Sequence, residues 1–263
     1  MLSSVQGLAP ICAPVLGGFL LEVTNWKGIF WILFVIGLAL LVTLLFFKES
    51  LPLAARREGS VWVAFRRYVP VLGHGRFMCY VLVQAFAMGV MFTYIAASPF
   101  IFQSHYGLSP VAYSLCFGVN AVAVMLGSLT VSFFRSATQA MRVGVVGFGL
   151  ISLLVASVLI SGAPVMIVEG CLFVFMIFLG LILPSSTMLA LDLERANSGN
   201  ASAVLGFLMF LFGGVLSPLT GLGDMLQTTS LIMVLCCAAA LGCTLLTTTR
   251  FSRGILRGHA TKA

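Results

Sequence analysis

The sequence predicts an all-α protein: a polytopic membrane bundle of about eight transmembrane helices. Three observations predict it. Apolar residues make up 60% of the chain and charged residues only 8%, against about 25% charged in an ordinary soluble domain. So few charges cannot cover a water-facing surface. The apolar residues fall into eight runs, near 2–23, 26–47, 77–99, 110–134, 142–162, 164–190, 201–223 and 228–249. Each is close to the roughly 20 residues that cross a bilayer as a helix. The basic residues alternate sides. With the first run starting in the cytoplasm, every one of the 14 Lys and Arg residues except Lys27 falls on a cytoplasmic connection or tail, as the positive-inside rule requires. Both termini are then cytoplasmic. The runs are too long, and alternate too little, for the strands of a β-barrel.

The elements follow in order. Residues 1–47 hold two spans, and residues 48–76 form a long basic cytoplasmic loop with Arg56, Arg57, Arg66 and Arg67. Within it, Val61, Trp62, Phe65 and Val69 sit at the spacing of one face of a short interfacial helix; a solvated linker is the alternative. Residues 77–249 hold six spans, and residues 250–263 form a basic cytoplasmic tail. Arg135 and Arg142 frame a short inner loop as charge anchors. A faint repeat links Ala13–Gly18 in the first span with Gly213–Pro218 in the seventh, the relation expected of two parallel six-helix units.

Composition excludes several functions. The net charge of +7 is spread between apolar runs rather than gathered in a stripe with aromatics, which argues against nucleic acid. The seven cysteines lie in apolar runs without metal-ligand spacing. No zinc-protease or phosphate-loop motif occurs, and His74, His105 and His259 are scattered over loops and tail, so no span holds a base beside a nucleophile. The chain reads as no enzyme, with no cofactor.

A few polar residues remain inside the spans. Glu169 is the acidic side chain that lies clearly within one, about five residues from its outer end. A carboxyl in hydrocarbon is costly and commonly functional, so Glu169 is a candidate proton carrier; pairing with another helix or reaching the outer interface is the alternative. Gln84, Asn120, Ser185 and Ser186 lie at mid-span and would line a cavity or bond helices together, with Asn120 the foremost. Phe92, Tyr94, Phe117 and Met91 would supply a greasy, adaptable wall. In the first span, Pro10, Pro14, Gly17 and Gly18 interrupt the regular helix.

Several of these stretches carry a family resemblance. Gly7, Pro10, Pro14, Gly17 and Gly18 resemble the antiporter motif in the fifth helix of the major facilitator superfamily, with Ala13 where a Gly is usual. Trp26–Trp31 looks like the entry to its sixth helix. Thr93–Phe100 followed by Tyr106–Ser109 is close to the seventh-helix signature of the Bcr/CflA group of drug:proton antiporters. Phe117–Ala121 resembles the eighth helix; Pro184 and Gly199–Ala203 resemble the tenth helix and the start of the eleventh. The resemblance implies a partial major facilitator fold that starts near the fifth of twelve helices. Residues 1–47 would be the last two helices of the first half, and 77–249 the complete second half. It implies efflux of a small amphipathic drug in exchange for protons, with the proton gradient as energy source, in a bacterial inner membrane. The motif at Pro10, Pro14, Gly17 and Gly18 would seal one half against the other; Asn120, Gln84, Tyr94, Glu169 and Ser185 would line or couple the site. The partners are the lipid bilayer and a small molecule. The alternative is a non-transporting remnant or a partner subunit of a full transporter.

Overall fold

The computed structural model describes Gly17, Leu20, residues 23–47, Arg66 and residues 68–260, with residues 249–260 as backbone alone. Among them are helices α1 (Trp26–Leu45), α2 (Tyr68–Gly73), α3 (Gly75–Pro99), α4 (Pro110–Thr130), α5 (Ala137–Ile160), α6 (Val165–Leu193), α7 (Ser198–Leu219) and α8 (Met225–Ala260). All but α2 are long and apolar enough to cross a membrane, seven candidate spans among the described residues. They correspond to the second to eighth predicted runs. The first run, with Pro10, Pro14 and Gly18, lies outside the described residues except for Gly17, Leu20 and Val23. The predicted interfacial helix likewise lies outside them, apart from Arg66 and the residues of α2.

Local chemistry sets the ends. Ser109 caps α4 by accepting from the Ala112 N–H at 3.2 Å, with Pro110 at the first helical position, where its missing N–H costs nothing. Ser136 caps α5 in the same way through Gln139 N. That cap starts α5 at Ala137, so Arg142 belongs to the helix and not to the loop. At the chain's end the backbone stays helical to Ala260, so the basic tail continues α8 instead of forming a separate segment. The α3–α4, α5–α6 and α7–α8 turns each contain one glycine with positive φ: Gly107, Gly162 and Gly223. A side chain there would strain the turn.

α3 is the central helix. It packs against α6, α7 and α8, while α6 also packs against α4 and α5, and α5 against α8. Phe148 of α5 stacks on Phe175 of α6 with ring centroids 4.2 Å apart. The outside of the bundle is apolar. On α4, Val111, Leu115, Val119, Val122, Leu126 and Leu129 form one exposed stripe, and α1 has no buried residue at all. Such surface suits lipid.

Between helices surrounded by lipid, close packing and hydrogen bonds hold what the hydrophobic effect cannot. The α4–α6 crossing uses both. A Cβ at Gly127 would run into the Ile177 carbonyl, and one at Gly180 into the Val124 carbonyl. Pro184 has no N–H to give the Gly180 carbonyl one helical turn back. Ser128 of α4 supplies the missing donor: its hydroxyl reaches Gly180 O and its own Val124 O, each at 3.0 Å.

Candidate functional site

Three helices each place one polar side chain at the same point: Tyr94 from α3, Asn120 from α4 and Glu169 from α6. The Asn120 amide is the hub. Its Nδ2 donates to Tyr94 Oη at 3.0 Å and to both carboxylate oxygens of Glu169 at 3.1 Å. Tyr94 and Asn120 are buried and Glu169 is half-buried. Asn120 Oδ1 is buried and has no hydrogen-bond partner among the described residues, an uncommon state for a buried acceptor.

Aromatic rings wall the cluster. Tyr94 stacks on Phe117 at 5.6 Å between centroids and 22° between planes, and Tyr113 meets Phe117 edge-on at 6.0 Å. The Tyr113 hydroxyl lies 3.1 Å from Ser98 Oγ. Among the described residues the ion pairs are His74–Glu194 and Asp192–Arg195, both at the opposite end of α6, and none holds Glu169. The carboxylate therefore sits in an apolar bundle with an amide as its partner, beside a stacked aromatic pair. Such a group can gain and lose a proton, and it can attract a positively charged or hydrogen-bonding solute.

A second polar cluster lies deeper along α3. Gln84 Oε1 accepts from Ser186 Oγ at 3.1 Å and from Thr187 Oγ1 at 2.8 Å, and Gln84 Nε2 points at Met209 Sδ of α7, 3.8 Å away. Ser185 joins neither cluster. It is fully buried, and its hydroxyl donates to Leu181 O and Ile182 O of its own helix. Phe92 packs on Phe210 of α7, away from the Tyr94 ring pair, and Met91 lies against the core. Of the first-span motif, Gly17 alone is described, in helical conformation.

Thus Asn120, Glu169 and Tyr94 come together, and Gln84 and Ser186 come together elsewhere. Sequence reasoning passed over Thr187, Tyr113 and Ser98. Two had a signal: Thr187 extends the polar run after Pro184, and Tyr113 precedes Phe117 by one helical turn.

Residues 1–218 match the Major Facilitator Superfamily. The chain is 32% identical over 230 residues to the MFS-type transporter YdgK of Bacillus subtilis, an alignment covering 85% of this chain and 57% of the relative. It is 29% identical over 220 residues to the multidrug transporter MdfA of Edwardsiella ictaluri, covering 81% and 53%. It is 24% identical over 131 residues to a bicyclomycin resistance protein homolog of Haemophilus influenzae, covering 48% and 32%. The chain spans about half the length of the first two relatives.

Proposed function

The chain belongs to the major facilitator superfamily, and on that premise we propose that it exports small amphipathic compounds by proton antiport, with Glu169 as the group that carries the proton. The observation that carries this reading is the carboxylate itself: half-buried in a membrane span, with no ion-pair partner among the described residues, and hydrogen-bonded by Asn120. A carboxylate fixed by a basic partner would hold its charge; one held by an amide can exchange a proton as its surroundings change from one water phase to the other. The Tyr94–Phe117 pair beside it offers a flat, polarizable surface to an amphipathic solute. Relatives named multidrug transporter support a drug as the substrate, and the bicyclomycin resistance homolog supports placement near the Bcr/CflA group.

In this reading residues 77–249 form one six-helix half and residues 1–47 contribute two helices of the other. The Pro10, Pro14, Gly17 and Gly18 motif would serve to seal one half against the other, and residues 48–76 would be the cytoplasmic connection at a bacterial inner membrane. The basic residues support that orientation.

The test is reconstitution of the 263-residue chain in liposomes with a fluorescent lipophilic cation and an imposed proton gradient. Gradient-driven dye movement is expected, and its loss in Glu169→Gln while the variant still inserts and purifies as a folded protein. Undiminished coupled flux in Glu169→Gln removes Glu169 from the mechanism. Absence of coupled flux from the wild-type chain overturns transport by this chain and leaves the partner-subunit role.

A further inference from the structure

We infer that Asn120 senses whether Glu169 is protonated and passes that state to Tyr94, its amide turning over as the carboxyl gains or loses a proton. This rests on Glu169 being the proton carrier.

The argument starts from donor and acceptor valences. An asparagine amide has one end with two N–H donors and one end with two acceptor lone pairs. In this structure the donor end faces the cluster. One N–H can serve Tyr94 Oη while the other is shared by the two carboxylate oxygens. That arrangement fits an ionised Glu169, which only accepts. Once protonated, the carboxyl keeps one accepting oxygen and gains an O–H donor, and the amide group turned towards that O–H is a donor as well. Turning the amide by about 180° about its last side-chain bond brings Oδ1 to the same position. Its two lone pairs then accept from the Glu169 O–H and from the Tyr94 O–H. Both orientations satisfy both neighbours, one for each protonation state.

The buried, unpartnered Oδ1 makes the turn feasible. A partner at the second end of a buried asparagine would fix its orientation. Here, among the described residues, nothing holds the outward end. The chemistry balances simply. A proton from water forms one O–H bond on Glu169, and no other covalent bond forms or breaks. Tyr94 keeps its proton and changes from accepting a hydrogen bond to donating one. The state of α6 is thereby transmitted through α4 to α3, the helix around which the bundle is packed.

The other ionisable groups facing the cluster are few. Tyr94 comes from α3, and Tyr113 and Cys116 come from α4, Cys116 within electrostatic range of Glu169. The one charged side chain of α5 is Arg142, near its inner end. No basic group competes with Asn120 for the carboxylate among the described residues.

The experiment is infrared difference spectroscopy of the full chain in lipid, between two pH values that bracket the protonation of Glu169. The Glu169 carboxyl band is assigned by its loss in Glu169→Gln, and the Tyr94 ring band by its loss in Tyr94→Phe. In the wild type, both bands are expected to change together with pH. In Glu169→Gln the Tyr94 band is expected to stay still. In Asn120→Leu the carboxyl band still responds to pH and the tyrosine band does not; in Asn120→Gln the joint response returns in part. A Tyr94 band that stays still while the wild-type carboxyl titrates overturns the relay and leaves the proton-carrier reading standing. A Tyr94 band that moves equally in Asn120→Leu also overturns it. A carboxyl band that never responds to pH overturns the proton-carrier reading itself. Where the Asn120 variants do not fold, a Tyr94 band that still moves with pH in Glu169→Gln overturns the relay.

Discussion

Gln84 illustrates how a polar side chain is housed in a bundle surrounded by hydrocarbon. Its carbonyl accepts from Ser186 and Thr187, yet both hydroxyls also reach carbonyls of their own helix, Ile182 O at 2.8 Å and Leu183 O at 2.8 Å. Removing the amide leaves neither hydroxyl stranded. Gln84→Leu should therefore cost no more than about 1 kcal/mol, measured as a small shift in denaturant unfolding in mild detergent; a loss of several times that would mean the interhelical bonds carry the junction. The same neighbourhood shows what single residues disclose from sequence. Ser185 and Ser186 are adjacent and chemically identical, but a step of about 100° around the helix sends one to Gln84 and ties the other to its own backbone. Periodicity does not reveal that phase. Depth was hidden too. Asn120 lies ten residues beyond Pro110 and Glu169 four beyond Val165, about 15 Å and about 6 Å of helical rise. Each residue was identifiable as unusual in an apolar span; their meeting depends on how α4 and α6 lie against each other.

Helix on helix, the α4–α6 crossing depends on main-chain contact. Ser128→Ala should leave the Gly180 carbonyl without the donor that Pro184 cannot give, at a cost of about 1–2 kcal/mol. The double variant Ser128→Ala with Pro184→Ala should recover most of it, because the restored N–H satisfies that carbonyl; a stability cycle that is strictly additive would contradict the coupling. At the end of α6 opposite Glu169, His74 before α3 and Glu194 after α6 join at 2.5 Å. The His74 hydrogen bond holds the Glu194 carboxyl below its ordinary range, a second bond from Asn197 helps, and desolvation opposes. A depressed carboxyl stabilises the fold above its unfolded value of about 4.3, and that contribution is lost as pH falls through the lower folded value. Wild type should therefore melt above Glu194→Gln at pH 7, and the difference should close on acidification below about pH 4. A difference independent of pH would mean the pair acts through packing alone. Helix starts were partly legible: Ser109 and Ser136 are cap residues by type. The start of α5 at Ala137 was missed because its first turn is polar and apolar runs alone mark the buried portion.

At the scale of the molecule, bilayer thickness makes the spans legible in the sequence, since only a helix of a certain length satisfies its own backbone there. Seven of the eight predicted spans fall among the described residues, each near its expected limits. Their packing order was not readable, because composition says little about which apolar face meets which. Charge predicts the orientation: a reporter fused after Ala263 should be active on the cytoplasmic side, and activity only outside would reverse the topology. The glycines at the helix contacts also bear on how such a sequence can drift. Gly144 faces the Ile182 side chain, Gly147 the ring of Phe178 and Gly213 the ring of Phe92. A larger residue at any of these can be accommodated by a second mutation that trims the opposing side chain. Gly127 and Gly180 face carbonyl groups, which no codon change can shorten. Those two positions have no single-site suppressor across the contact, so a lineage that loses either glycine recovers by reverting or by moving a whole helix.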